Sequence, residues 1–164
     1  MRWHLLLVAG VLCAGCEGID TEKANKKVDE ANKALNEGND FVKAVDKHLK
    51  AAAAGDADAE SKKCVKAAED AADKFDEASK LAKEASEMKV KKIFGEYLGL
   101  KSKSFAKRGE VAVAGKKQCK SLTDKGDVDQ IMKIEKEIKA LIEEADELDE
   151  KAEKIQKDNP TDFK

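Results

Sequence analysis

Apolar and small residues recur along this chain in steps of three and four, and short polar stretches break them into four long blocks. In the first block Ala24, Val28, Ala31, Leu35, Gly38, Val42, Val45, Leu49 and Ala52 alternate steps of four and three. That spacing keeps one stripe of a helix turned toward a partner helix. It predicts a helix over 21–54, with Asp20 as its N-cap and Gly55-Asp56 ending it and starting the next. Cys64, Ala68, Ala71, Phe75, Ala78, Ala82 and Ala85 continue the spacing, with Leu81 and Met88 beside it, and predict a second helix over 57–92. Leu98, Phe105, Ala112 and Cys119 recur every seven residues, with Lys101, Arg108 and Gly115 at the alternate positions, and predict a third over 95–122. The fourth pattern is the clearest. Asp127 and Gln130 form a capping box, and Ile131, Ile134, Ile138, Leu141, Ala145, Leu148, Ala152 and Ile155 run unbroken over 127–158. Asn159-Pro160 stops the pattern and leaves 159–164 as a tail.

Connections this short force consecutive helices to run antiparallel. The expected fold is all-α: an antiparallel, up-down, coiled-coil-like four-helix bundle over 21–158, with helices about 45–50 Å long. The cysteines give an independent register. The midpoint of Cys64 and Cys119 is 91.5, inside the turn expected between the second and third helices. A hairpin centred there brings both cysteines to one level, so a Cys64–Cys119 disulfide is expected as a staple.

Composition narrows the picture. Charged residues make up 40% of the 164, with 32 Lys+Arg against 34 Asp+Glu, and only 4% are aromatic. The core must come from Ala, Val, Leu and Ile, which suits narrow seams between slender helices. A net charge of −2 speaks against nucleic acid as a partner. The chain has no nucleophile elbow, P-loop, zinc pattern or paired Glu-x-x-His motif, so neither an enzyme nor a resident cofactor is expected. His48 with Met88 or Met132 is the one conceivable haem-ligand pair, and it keeps a small-ligand or haem carrier as the alternative reading.

The N-terminus reads differently from the rest. Met1-Arg2 is followed by an apolar run from Trp3 to Leu12, then Cys13-Ala14-Gly15-Cys16. A run of about ten residues is too short to span a bilayer as a helix and fits a signal-peptide core. Ala14-Gly15-Cys16 resembles the end of a bacterial lipobox, although Cys13 stands where that family prefers Leu or Val and Leu12 is one residue away. The resemblance implies a cleaved signal peptide over 1–15 and acylation of Cys16. It also implies a short tether over 16–20 and a lipoprotein held on the cell or outer membrane, facing the periplasm. Its partners would be the bilayer, through the acyl groups, and another envelope protein.

A tether that short places one end of the bundle near the bilayer. By topology this is the end with the turn between the second and third helices. Residues 89–108 hold Lys89, Lys91, Lys92, Lys101, Lys103, Lys107 and Arg108 against Glu96 alone, a net +6, interleaved with Phe94 and Tyr97. One reading makes this a basic, aromatic tip touching anionic headgroups. The other has Phe94 and Leu98 plug the end of the bundle and the bases pair with the fourth helix, which carries −6 over 124–158.

Overall fold

The computed structural model describes residues 20–55, 57–123 and 128–163. The expected signal peptide, Cys16 and the tether before Asp20 lie outside the described residues, as do Asp56 and the expected cap Asp127. Four helices, α1 (Thr21–Ala54), α2 (Ala57–Ser86), α3 (Lys92–Ser121) and α4 (Val128–Asp158), are followed by a 3-10 turn, Pro160–Phe163. No strand occurs among the described residues.

Cross-helix bonds fix the antiparallel order. Glu37 of α1 meets Lys74 of α2 at 2.8 Å, and His48 meets Glu60 at 2.7 Å. Ser79 and Ser102 donate their hydroxyls to each other's carbonyl oxygens at 2.9 Å, joining α2 to α3. Lys117 of α3 meets Glu137 of α4 at 2.8 Å. Partners move down one helix as they move up the next, as an up-down-up-down four-helix bundle requires.

The helix ends depart from expectation in two places. Asp20 does not cap α1 through its side chain. Its carboxylate takes Lys23 instead, and its backbone N–H donates to the Lys89 carbonyl at 3.0 Å. Gly55 ends α1 as expected, with an extended φ of −169°. The turn between α2 and α3 occupies 87–91, where the sequence predicted helix through 92 and a start at 95. Packing accounts for that shift. The turn tucks Met88 and Val90 against Phe94, and Lys91 at ψ 136° redirects the chain into α3.

The bundle is open along one side. α1 packs along α2, α2 along α3 and α3 along α4. α1 meets α3 at few points, and among the described residues no Cα of α4 comes within 8 Å of α1 or α2. In α1 most of the predicted seam is buried, with Val42 and Leu49 half-covered. In α4, where the pattern was clearest, only Ile134, Ala145 and Ala152 are buried, and Ile131, Ile138, Leu141, Leu148 and Ile155 are half-covered. A regular stripe makes a helix amphipathic. It does not supply a second neighbour to cover both flanks.

The tightest packing lies at mid-height. Phe75 is 1% exposed and packs with Leu35, Ala71, Ala78 and Phe105. Alanines elsewhere in the seam bring α1 and α2 together, and the large ring fits because position 38 has no side chain. A Cβ on Gly38 would lie 2.9 Å from the Phe75 ring. Phe75→Ala should therefore lower stability by about 3–5 kcal/mol, measured by urea unfolding followed by circular dichroism.

Candidate functional site

The end of the bundle where α1 begins also holds the α2–α3 turn and the C-terminal turn. The Asp20–Lys89 backbone bond ties the entry of α1 to that turn. Three aromatics close this end. The Phe94 and Tyr97 rings stack at 6.4 Å, and Phe163 meets them edge-on at 5.9 and 5.1 Å. Residues read from sequence as a tail thus form part of the plug, and Asp162 beside them bonds Lys91 at 3.2 Å. The missed signal was an aromatic residue just after a proline, in a chain with few aromatics.

The residues of 89–108 that were read as one basic, aromatic tip lie at different heights and depths. Phe94 and Tyr97 are 4% and 1% exposed, and Lys101 is 3% exposed. At 1.5 Å per residue Lys101 lies about 14 Å up α3 from Lys92, and Arg108 about 24 Å. Of the bases at the turn, Lys91 pairs with Asp162 and Lys92 lies 3.8 Å from Glu96, and only Lys89 and Lys92 are fully exposed. Lys103 is also exposed, but about 16 Å from Lys92 along the helix. Charges contiguous in sequence are spread along a rod.

The bases higher on α3 pair with α4. Lys101 reaches Asp149 at 2.8 Å, and Arg108 reaches the other oxygen of the same carboxylate at 2.7 Å. Lys107 bonds Glu144 at 3.0 Å and Lys117 bonds Glu137 at 2.8 Å. Burial pushes the Asp149 carboxyl up. The Lys101 ammonium, by charge and hydrogen bond, and then the Arg108 guanidinium outweigh that, so its pKa lies below the ordinary carboxylate value. Tyr97 lies next to this group, with Lys101 5.9 Å from its ring centre. Burial first, then the charges of Asp149 and Glu153, push its hydroxyl up to about 12. Among the described residues the hydroxyl has no hydrogen-bond partner. Asp149 was not singled out from sequence. The signal was Lys101 and Arg108 at seam positions, which require a carboxylate opposite.

At the other end a disulfide joins Cys64 to Cys119, with Cα atoms 5.6 Å apart. This is the pairing expected from the hairpin register. Both cysteines are fully buried, and the Ser61 hydroxyl donates to the Cys119 carbonyl at 2.8 Å. His48 lies near this level, bound to Glu60, whose carboxyl is held down by hydrogen bonds from Lys63 and His48. α2 ends at Ser86, about 39 Å along the helix from Glu60 and just before Met88, so His48 and Met88 cannot share a haem iron. Met132 is half-exposed on α4, the helix that stays away from α1.

Between α2 and α4 a groove of about 370 Å³ runs over α3. Ala72, Ala106, Gly109, Val113 and Leu141 line it, with Asp76, Glu110 and Glu137 on its rim. Among the described residues no cluster of three or more His, Cys, Asp or Glu side chains is placed to hold a metal, and no helix is long and apolar enough to cross a membrane.

Two outcomes follow. Replacing both Cys64 and Cys119 with Ala frees a 55-residue loop, and the unfolding free energy should fall by about 4 kcal/mol on the chain-entropy account. Asp149→Asn leaves the Lys101 ammonium buried without its anion and should cost about 2–4 kcal/mol at pH 7. Because the Asp149 pKa is depressed in the folded chain, its stabilisation is fully present above its unfolded value, near 4, and is lost as pH falls through the folded value. Urea titrations from pH 6 to 2 should show the native protein losing stability below about pH 4, with the gap to Asp149→Asn narrowing there.

Comparison with protein-family models, with curated proteins and with solved structures finds no match to this chain.

Proposed function

We propose that this chain is a bacterial lipoprotein, held on the cell or outer membrane through acylated Cys16 and facing the periplasm. Its bundle acts as a structural or protein-interaction module without catalytic activity. One observation carries the reading. Ala14-Gly15-Cys16 closes an apolar run that begins behind Arg2, and four residues later the chain reaches Asp20 and the start of the helical body. Small residues before the cysteine let a signal peptidase approach the backbone, and the run has the length of a signal-peptide core.

Two further features favour a module over a carrier or an enzyme. Most polar side chains near the helix interfaces are engaged with one another, as in the Lys101–Asp149–Arg108 group. The disulfide suits an oxidising compartment, where exported chains keep such bonds. A tether of four residues reaches at most about 14 Å. The end closed by Phe94, Tyr97 and Phe163 would then stand near the bilayer and the disulfide far from it.

Cys16→Ala should move the protein from the membrane fraction to the soluble fraction of cells, and the native protein should carry a diacylglyceryl mass on Cys16. Unchanged membrane fractionation of the variant would overturn the anchor.

A further inference from the structure

We propose that one ordered water molecule is bound in the small cavity between α1, α2 and α3, where it completes the hydrogen bonding of the Lys101 ammonium and the Tyr97 hydroxyl and links both to Asn32. The site depends neither on Cys16 nor on the interaction-module reading.

The size of the cavity selects the ligand. Its volume is about 10 Å³, which is room for a single water. An organic ligand needs a pocket of about 300 Å³ or more. Three of the lining residues carry polar groups, Asn32 of α1 and Tyr97 and Lys101 of α3, and the remainder, Val28, Leu98 and Phe105 among them, is largely apolar. A cavity with apolar walls alone stays dry, whereas one with two or more polar partners holds water.

Two of those polar residues are buried with bonding capacity to spare. Lys101 is 3% exposed. Its ammonium has three N–H donors, and among the described residues Asp149 is its one hydrogen-bond acceptor, at 2.8 Å. Tyr97 is 1% exposed, and among the described residues its hydroxyl has no partner. Native proteins rarely leave such groups unpaired, because each gave up hydrogen bonds to water on folding. Asn32, half-buried on the facing helix, adds an amide with both donors and an acceptor. Water matches this set. Its oxygen accepts from Lys101 Nζ, and its two O–H groups donate to the Tyr97 oxygen and the Asn32 amide oxygen. A cation in the same place would be repelled by Lys101.

Such a water has a structural consequence. α1 meets α3 at few points, and among the described residues α4 comes no nearer to α1 than 8 Å between Cα atoms. The chain Asn32–water–Lys101–Asp149 would run from α1 through α3 to α4 and give these three helices a shared polar link.

A high-resolution crystal structure of the purified protein should show a water within about 3.2 Å of at least two of Tyr97 Oη, Lys101 Nζ and the Asn32 amide oxygen. No water there, or a water touching only one of the three, would overturn the site. Stability supplies a second readout, because removing a hydrogen-bonded hydroxyl costs stability while removing an orphaned one does not. Tyr97→Phe should raise the unfolding equilibrium constant about 2- to 10-fold, read from urea unfolding. An unchanged or lowered constant would mean a dry hydroxyl and sink the proposal. Asn32→Leu puts an apolar side chain of similar size beside the cavity and removes the amide. In that background the effect of Tyr97→Phe should shrink to less than about 2-fold, because the two residues act through the same water. A full effect in both backgrounds would show that no water joins them.

Discussion

An ammonium group in a protein interior needs an anion beside it, and Lys101 has Asp149. Taking either charge out of water is costly, and the pair persists because Arg108 binds the second oxygen of the same carboxylate. The position of α4 follows from this requirement. α3 spends its apolar side, Leu98, Phe105, Ala112 and Cys119, on α1 and α2. Its other side carries bases, so the fourth helix has to be acidic there. The fourth helix thus joins α3 through three buried side chains together with these ion pairs.

The two ends of the rod are closed by different chemistry. At one end a covalent bond joins α2 to α3 and constrains a long loop in the unfolded chain. At the other, three aromatic rings from α3 and the C-terminal turn meet over Ala24, Ala85 and Ala152. Between the ends the seam narrows, and Phe75 enters it only opposite Gly38. Motion should accordingly be least where Phe75 and the disulfide sit, and greatest along the open flank of α4.

Much of this architecture was legible in residue spacing. The heptad steps place the four helices to within a few residues, and the symmetric placement of Cys64 and Cys119 about the α2–α3 turn gives the register of that hairpin. The errors fall where a tertiary contact competes with local pattern. The chain leaves helix after Ser86 because Met88 and Val90 pack inward and Lys89 accepts a bond from Asp20. Phe163 belongs to the aromatic plug for the same kind of reason. The basic run from Lys89 to Arg108 is spread out because adjacency in sequence is not adjacency on a helix. From Lys92 to Arg108 they extend over about 24 Å of α3, and Lys101, Lys107 and Arg108 find their partners on α4.

By itself the sequence determined that the chain is helical, where the helices begin and end to within a few residues, which cysteines pair, and which residues resemble a lipid-attachment signal. These are local properties, set by period, spacing and short motifs, and they need no knowledge of neighbours. Only the tertiary structure decided how the helices share their faces. The most regular stripe, on α4, is the least covered, because coverage depends on the number of neighbours and α4 has one. Asp149 is a half-buried counter-ion for the same reason: its role is set by Lys101 and Arg108, more than 40 residues away in the chain.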